Sequence, residues 1–106
     1  MLRIYADALQ MVRDARPLID ALARHDRDLA SQLRRAATSV VLNIAEGSGS
    51  PGRVERVRYA NALGSAREVR ACIDASVALG LTRGFDLAEA DRLDKVIATL
   101  VKVSRM

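Results

Sequence analysis

Along nearly the whole of this chain, apolar residues recur at steps of three and four, in four stretches separated by short polar or glycine-bearing breaks. That is the period of an α-helix with one buried face, and it does not match the alternation by twos of a half-buried strand. The first stretch, from about Leu2 to Arg24, carries Ile4, Ala8, Met11, Ala15, Leu18 and Leu22 as its stripe, widened by Leu9, Val12 and Ile19. Leu29, Leu33, Ala36, Ala37, Val40, Ile44 and Ala45 do the same from about Leu29 to Glu46. A third stretch runs from Pro51 to about Leu79, with Val54, Val57, Ala60, Leu63, Ala66, Val69, Ile73 and Val77 on its apolar side. Turns of a few residues between helices of similar length make antiparallel neighbours. The expected fold is therefore all-α: an up-down-up-down four-helix bundle forming one domain over residues 1–106. With only Tyr5, Tyr59 and Phe85 as aromatics, its core must be built from aliphatic side chains.

Local punctuation sets the expected boundaries. Pro17 removes one helical hydrogen bond, which predicts a kink or two abutting helices. Asp26 or Asp28 can cap the second helix. Gly47 reads as the left-handed residue that closes that helix, with Ser50 as N-cap and Pro51 as first residue of the next. Gly64, mid-helix, costs about 1 kcal/mol relative to alanine, so a close approach by another helix is expected there. Gly80 and Gly84 bracket the following turn, and Asp86 with Glu89 has the spacing of a capping box. In the fourth stretch, about Asp86 to Ser104, Leu87, Ala90, Leu93, Val96, Ile97, Leu100, Val101 and Val103 span an arc of about 200°, roughly twice what a monomeric bundle needs. Burial of that surplus against a second subunit is the expectation.

The bend "NIAEGSGSPGR" (43–53) poses a choice between a phosphate-cradling loop and a plain hinge. It follows a helix and lacks the Lys and hydroxyl pair of a nucleotide-hydrolysis loop. Backbone amides at the start of the third helix, with Arg53 and Arg56 nearby, would still suit an anion. Catalytic chemistry finds little to work with. A di-iron bundle needs Glu-x-x-His pairs on two helices, and the single histidine, His25, falls in an interhelix turn. Cys72, the single cysteine, has no evident activating base and reads as a small core residue. The expectation is a non-enzymatic protein with no metal and no cofactor. A lone thiol suits a reducing cytoplasm, and charges interrupt every long apolar run, so no membrane association is expected.

Net charge is +4, and its distribution is uneven. Basic and acidic residues cancel over residues 1–30 and again over 74–106; the excess lies between, where seven Arg oppose Glu46, Glu55 and Glu68. Arg34, Arg53, Arg56, Arg67 and Arg70 fall in that region and mostly off the apolar stripe, which makes them the candidate contacts to an RNA or DNA backbone. Phosphate neutralisation without base reading is the expected mode, since three aromatics make a poor stacking platform. A protein-interaction scaffold that touches no nucleic acid is the competing class.

Folding the second and third stretches about the bend pairs positions whose numbers sum to about 100. Asn43 then lies near Val57 and Arg58, Ser39 near Asn61, and Arg35 near Ser65. Gln32, Arg35, Ser39, Asn43 and Glu46 form one polar stripe, and Arg58, Asn61, Ser65 and Glu68 form another opposite it. The expected network joins Glu46 to Arg58, and Glu68 to Arg34 or Arg35.

"SQLRRAATSVVLNIAEG" (31–47) followed by "RYANALGSAREV" (58–69) resembles the bacterial four-helix-bundle family first noticed in intervening sequences of 23S rRNA genes. That family is similar in fold to the accessory variability determinant of diversity-generating retroelements, a basic pentameric barrel that binds nucleic acid and a reverse transcriptase. The resemblance therefore implies a ring-shaped homo-oligomer, a pentamer by preference, with RNA, DNA or a reverse transcriptase as possible partners. This chain departs from the family pattern in its Ser-Pro bend and at Val57, where members commonly carry an aromatic.

Overall fold

The computed structural model describes residues 2–106 and contains four helices: α1 (Leu2–Ala23), α2 (Arg27–Ser48), α3 (Gly52–Ala78) and α4 (Leu87–Ser104). Among the described residues there is no strand. The helices pack in a closed cycle, α1 on α2, α2 on α3, α3 on α4 and α4 back on α1. Three-residue connections at 24–26 and 49–51 force successive helices to run in opposite directions. The long dimension of 42 Å is about the length of α3 alone, as 27 residues at about 1.5 Å per residue require.

The stripes meet along the axis. Ile4, Ala8, Met11 and Leu22 of α1, Leu33, Ala37, Val40 and Ile44 of α2, Ala62, Ala66 and Val69 of α3, and Leu93, Val96 and Leu100 of α4 form one buried cluster. Tyr59 is the largest side chain fully inside it. It lies where α2 and α3 converge near the bend, directly against Gly47: a methyl group on Gly47 would come within 2.9 Å of the ring.

Burial raises the Tyr59 phenol above its ordinary 10.0, helped by the neighbouring Glu55 carboxylate, and raises the Cys72 thiol above 9.0, helped by Glu68. Both acids hold their protons longer folded than unfolded. Their contribution is therefore complete below pH 9.0 and is lost as pH rises through the folded values. Stability in urea should be level up to that point and fall above it, with a shallower fall in Tyr59→Phe and Cys72→Ala. An unchanged alkaline slope in both variants would refute this origin.

Several local expectations are corrected. α1 runs unbroken through Pro17. Pro17 faces solvent, where water can take the hydrogen bond that the ring denies to the Arg13 carbonyl. Gly47 is not left-handed but lies within α2, which continues to Ser48. The last carbonyls of α2 are met by hydroxyls instead: Ser48 Oγ donates to the Ala45 carbonyl at 3.0 Å and Ser50 Oγ to that of Glu46 at 2.8 Å. Ser50 therefore serves the end of α2, and Pro51, with extended backbone and no side-chain cap, precedes α3. Asp26 caps α2 by accepting from the Leu29 N–H at 2.9 Å. Asp86 and Glu89 form the expected capping box.

No other helix approaches Gly64, whose Cα faces open space. Nor does α4 keep its apolar surplus. Ile97 and Val103 pack on the core and only Leu87, at its first turn, stands fully out. Neighbours on two sides, α1 and α3, consume the wide arc. Exposed large apolar side chains elsewhere include Leu42 of α2 and Val54, Val57 and Val77 of α3, with Leu79 just beyond.

The α3–α4 connection is held from inside. Buried Ser76 donates to the Ile73 carbonyl at 2.7 Å, leaving its oxygen to accept from the Thr82 hydroxyl at 2.6 Å. Thr82 Oγ1 in turn accepts from the Gly84 N–H at 3.1 Å. Gly84 has a φ of 74° and sits so close to Val77 that a side chain would collide.

Candidate nucleic-acid interface

Charge on this surface is organised by helix packing, and it differs from the partition along the chain. An open cleft between α1 and α2 is lined by Arg13, Arg16 and Arg34, with Val12, Ile19 and Ala37 beneath and Asp20 as the acidic member. A second cleft lies on the outer side of α2, lined by Arg34, Arg35 and Arg58, the hydroxyls of Ser31, Thr38 and Ser39, Asn43, Leu42 and Glu46. Arg34 borders both. Five guanidinium groups thus form a band from α1 across α2 to α3, facing two carboxylates.

Why this band was hidden in the sequence is clear from one buried group. Along residues 1–30 five Arg are cancelled by five Asp, but Asp14 does not reach the surface. Its carboxylate, 5% exposed, accepts from Arg92 Nε at 2.7 Å and Nη2 at 3.0 Å, and from Gln10 Nε2 at 3.0 Å. The paired carboxylate raises the pKa of Arg92 further above its ordinary range. With Asp14 spent on α4, Asp20 alone faces Arg13, Arg16 and Arg34 in the cleft. The available signal was an aspartate beside Met11 and Ala15 on an otherwise apolar stripe.

The sequence candidates scatter. Arg34 lies in the band. Arg53, Arg56 and Arg67 are exposed along α3 and line neither cleft. Arg56 Nη1 donates to the Met106 carbonyl at 3.4 Å. Arg70 is engaged with Asp94 of α4 in an ion pair, as Arg58 is with Glu46, but unlike Arg58 it lines neither cleft. That pair borders a charge-balanced hollow of Arg70, Asp74, Arg83 and Asp94.

The facing polar stripes come together in a shifted register. Arg58 Nη1 lies 2.9 Å from Glu46 Oε2, and Ser39 and Ser65 share a hydrogen bond of 2.8 Å. Asn43 Nδ2 donates back to the Ser39 carbonyl and hydroxyl at 2.9 and 3.1 Å. Ser39 thus meets Ser65 rather than Asn61, and Arg35 is left to the cleft. Helical side chains lean toward the N-terminus of their own helix, so those of α2 lean away from the bend and those of α3 toward it. Partners on α3 therefore lie further along the chain than backbone symmetry suggests. Glu68 accepts from Gln32 Nε2 at 3.5 Å and pairs with neither Arg34 nor Arg35. Arg58 and Glu46 are 43% and 56% exposed, so solvent screening limits the pair to about 0.2–1 kcal/mol.

His25 is exposed in the α1–α2 turn and Cys72 is buried in α3. Among the described residues, no group of three or more His, Cys, Asp or Glu side chains is placed to hold a metal ion, and no helix is long and apolar enough to cross a membrane.

Comparison with known proteins bears on the fold and the family. A crystal structure of a protein of unknown function from the S23 ribosomal protein family of Bacteroides thetaiotaomicron is similar, with a TM-score of 0.68 at 15% identity, covering 96% of this chain and 92% of that one. At that identity the likeness is one of fold. No curated protein matches the chain. Residues 1–106 match the family described as 23S rRNA-intervening sequence protein, and the chain belongs to that family.

Proposed function

We propose that this protein is a non-enzymatic, cytoplasmic, oligomeric bundle that binds the backbone of RNA or DNA through its arginine-rich surface. The observation that carries the reading is the pair of clefts sharing Arg34, which gathers five guanidinium groups from three helices. Guanidinium forks bind phosphate oxygens in bidentate fashion, and the Ser31 hydroxyl beside them suits the same acceptors. Self-association is the second part of the proposal. Val54 and Val57 are each about half exposed on α3, and a neighbouring subunit would cover them. The arrangement we favour is a ring, a pentamer by likeness to the accessory variability determinant of diversity-generating retroelements.

The test is solution mass by light scattering, alone and with a mixed oligonucleotide pool. The expected result is a multiple of 11.5 kDa that rises further when oligonucleotide is added at low salt. A monomer would remove the ring, and an unchanged mass with oligonucleotide would remove the nucleic-acid role. The same exposed apolar residues favour one other reading, a scaffold that docks a partner such as a reverse transcriptase without touching nucleic acid. Protein that purifies free of nucleic acid and takes up none, yet retains the polymerase, would select it.

A further inference from the structure

Resting on the backbone-binding reading above, we propose that the arginine band takes double-helical nucleic acid in preference to a single strand. The clefts adjoin across the outer face of α2, where they share Arg34 and Thr38, with Arg13 and Arg16 of α1 on one flank and Arg35 of α2 and Arg58 of α3 on the other. Neighbouring helices pack about 8–10 Å apart, so α1 and α3, diagonal in the cycle, have axes about 11–14 Å apart. That is the scale of the separation between the two backbones bordering a duplex groove, about 12 Å for the major groove of DNA. One strand can follow one flank only. Two backbones, held rigidly apart by base pairing, can engage both.

The second argument is what the band lacks. Single-strand binders gain about 1–3 kcal/mol per base by stacking on aromatic side chains. Neither cleft contains an aromatic: Tyr59 is buried, Phe85 lines the α3–α4 hollow, and Tyr5 lies on α1 outside both linings. A strand bound here would leave its bases in water, whereas a duplex arrives with its bases already stacked. Ser31 adds a neutral donor for phosphate oxygens, the Thr38 hydroxyl being given to the Arg34 carbonyl at 2.8 Å, and Asp20 and Glu46 are the carboxylates a ligand must pass, Glu46 being drawn aside by Arg58.

Fluorescence anisotropy at low salt, with a mixed-sequence DNA duplex and an oligo-dT strand of equal total charge, tests this. The duplex should bind about ten-fold or more tightly than the strand, because its two backbones engage both flanks where the strand engages one. Arg13→Ala with Arg16→Ala should weaken duplex binding by about ten-fold and reduce its salt slope by about two. Arg83→Ala with Arg105→Ala removes the same charge outside the band and should leave binding near wild type, with thermal melts establishing that every variant is folded. A strand bound as tightly as the duplex would overturn the proposal and leave backbone binding standing. Equal losses in the two double variants would overturn the placement of the site. Absence of binding to either ligand would sink the backbone reading itself.

Discussion

Tyr59→Ala is expected to lower folding stability by about 3–5 kcal/mol, the cost of an aromatic side chain deleted from a packed core. Among the described residues no other side chain of this size is fully enclosed, and its ring lies between α2 and α3 against Gly47. Gly47, opposite the ring, has no side chain to turn into the vacated space, so the cavity fills only if the helix backbones themselves shift. The same geometry gives a change of sign. Gly47→Ala in the natural background crowds the ring and the Arg58 Cβ, 3.2 Å away, and should cost about 1–3 kcal/mol. In the Tyr59→Ala background the added methyl enters vacated space and improves helix propensity, so it should stabilise by up to about 1 kcal/mol. Denaturant titration of the four proteins measures the coupling. Additive effects would show that Gly47 and Tyr59 do not read each other.

Severing the contact between Asp14 and Arg92 should be the next most damaging change. Asp14→Ala removes a bidentate acceptor and leaves Gln10 without its partner, a loss of about 1–3 kcal/mol. Arg92→Met should destabilise more, since it strands a carboxylate that is almost wholly inside, whereas the guanidinium freed by Asp14→Ala can turn to water. Asp14→Leu combined with Arg92→Met should recover most of the loss, because an apolar pair of similar volume avoids desolvating either charge. If the combined variant is no more stable than Arg92→Met alone, the side chains contribute through something other than their pairing.

The helices were legible because their apolar stripes are long and regular, and Asp86 with Glu89 was legible because a capping box is a local pattern. What escaped the sequence depends on three dimensions. Gly47 carries the same letter whether it turns left-handed or makes room for a ring, and only the position of Tyr59 decides between them. Counting charge by segment assigned the excess to residues 31–73, yet Arg13 and Arg16 lie beside Arg34 across a helix interface, and Asp14 is withdrawn into the core. Ser39 meets Ser65, one turn beyond the position that backbone symmetry gives, because helical side chains lean toward their own N-terminus. The wide apolar arc of α4 reads as surplus until α1 and α3 are both seen to occupy it.

The Asp14–Arg92 contact ties the first helix of the chain to the last, and it does so from near the middle of one to the first turns of the other. Terminal helices of small bundles commonly fray separately, each with its own low opening energy. The expected consequence is that the amides of α1 and α4 open as one unit and exchange with solvent together, and that Arg92→Met lets the two helices exchange at separate rates.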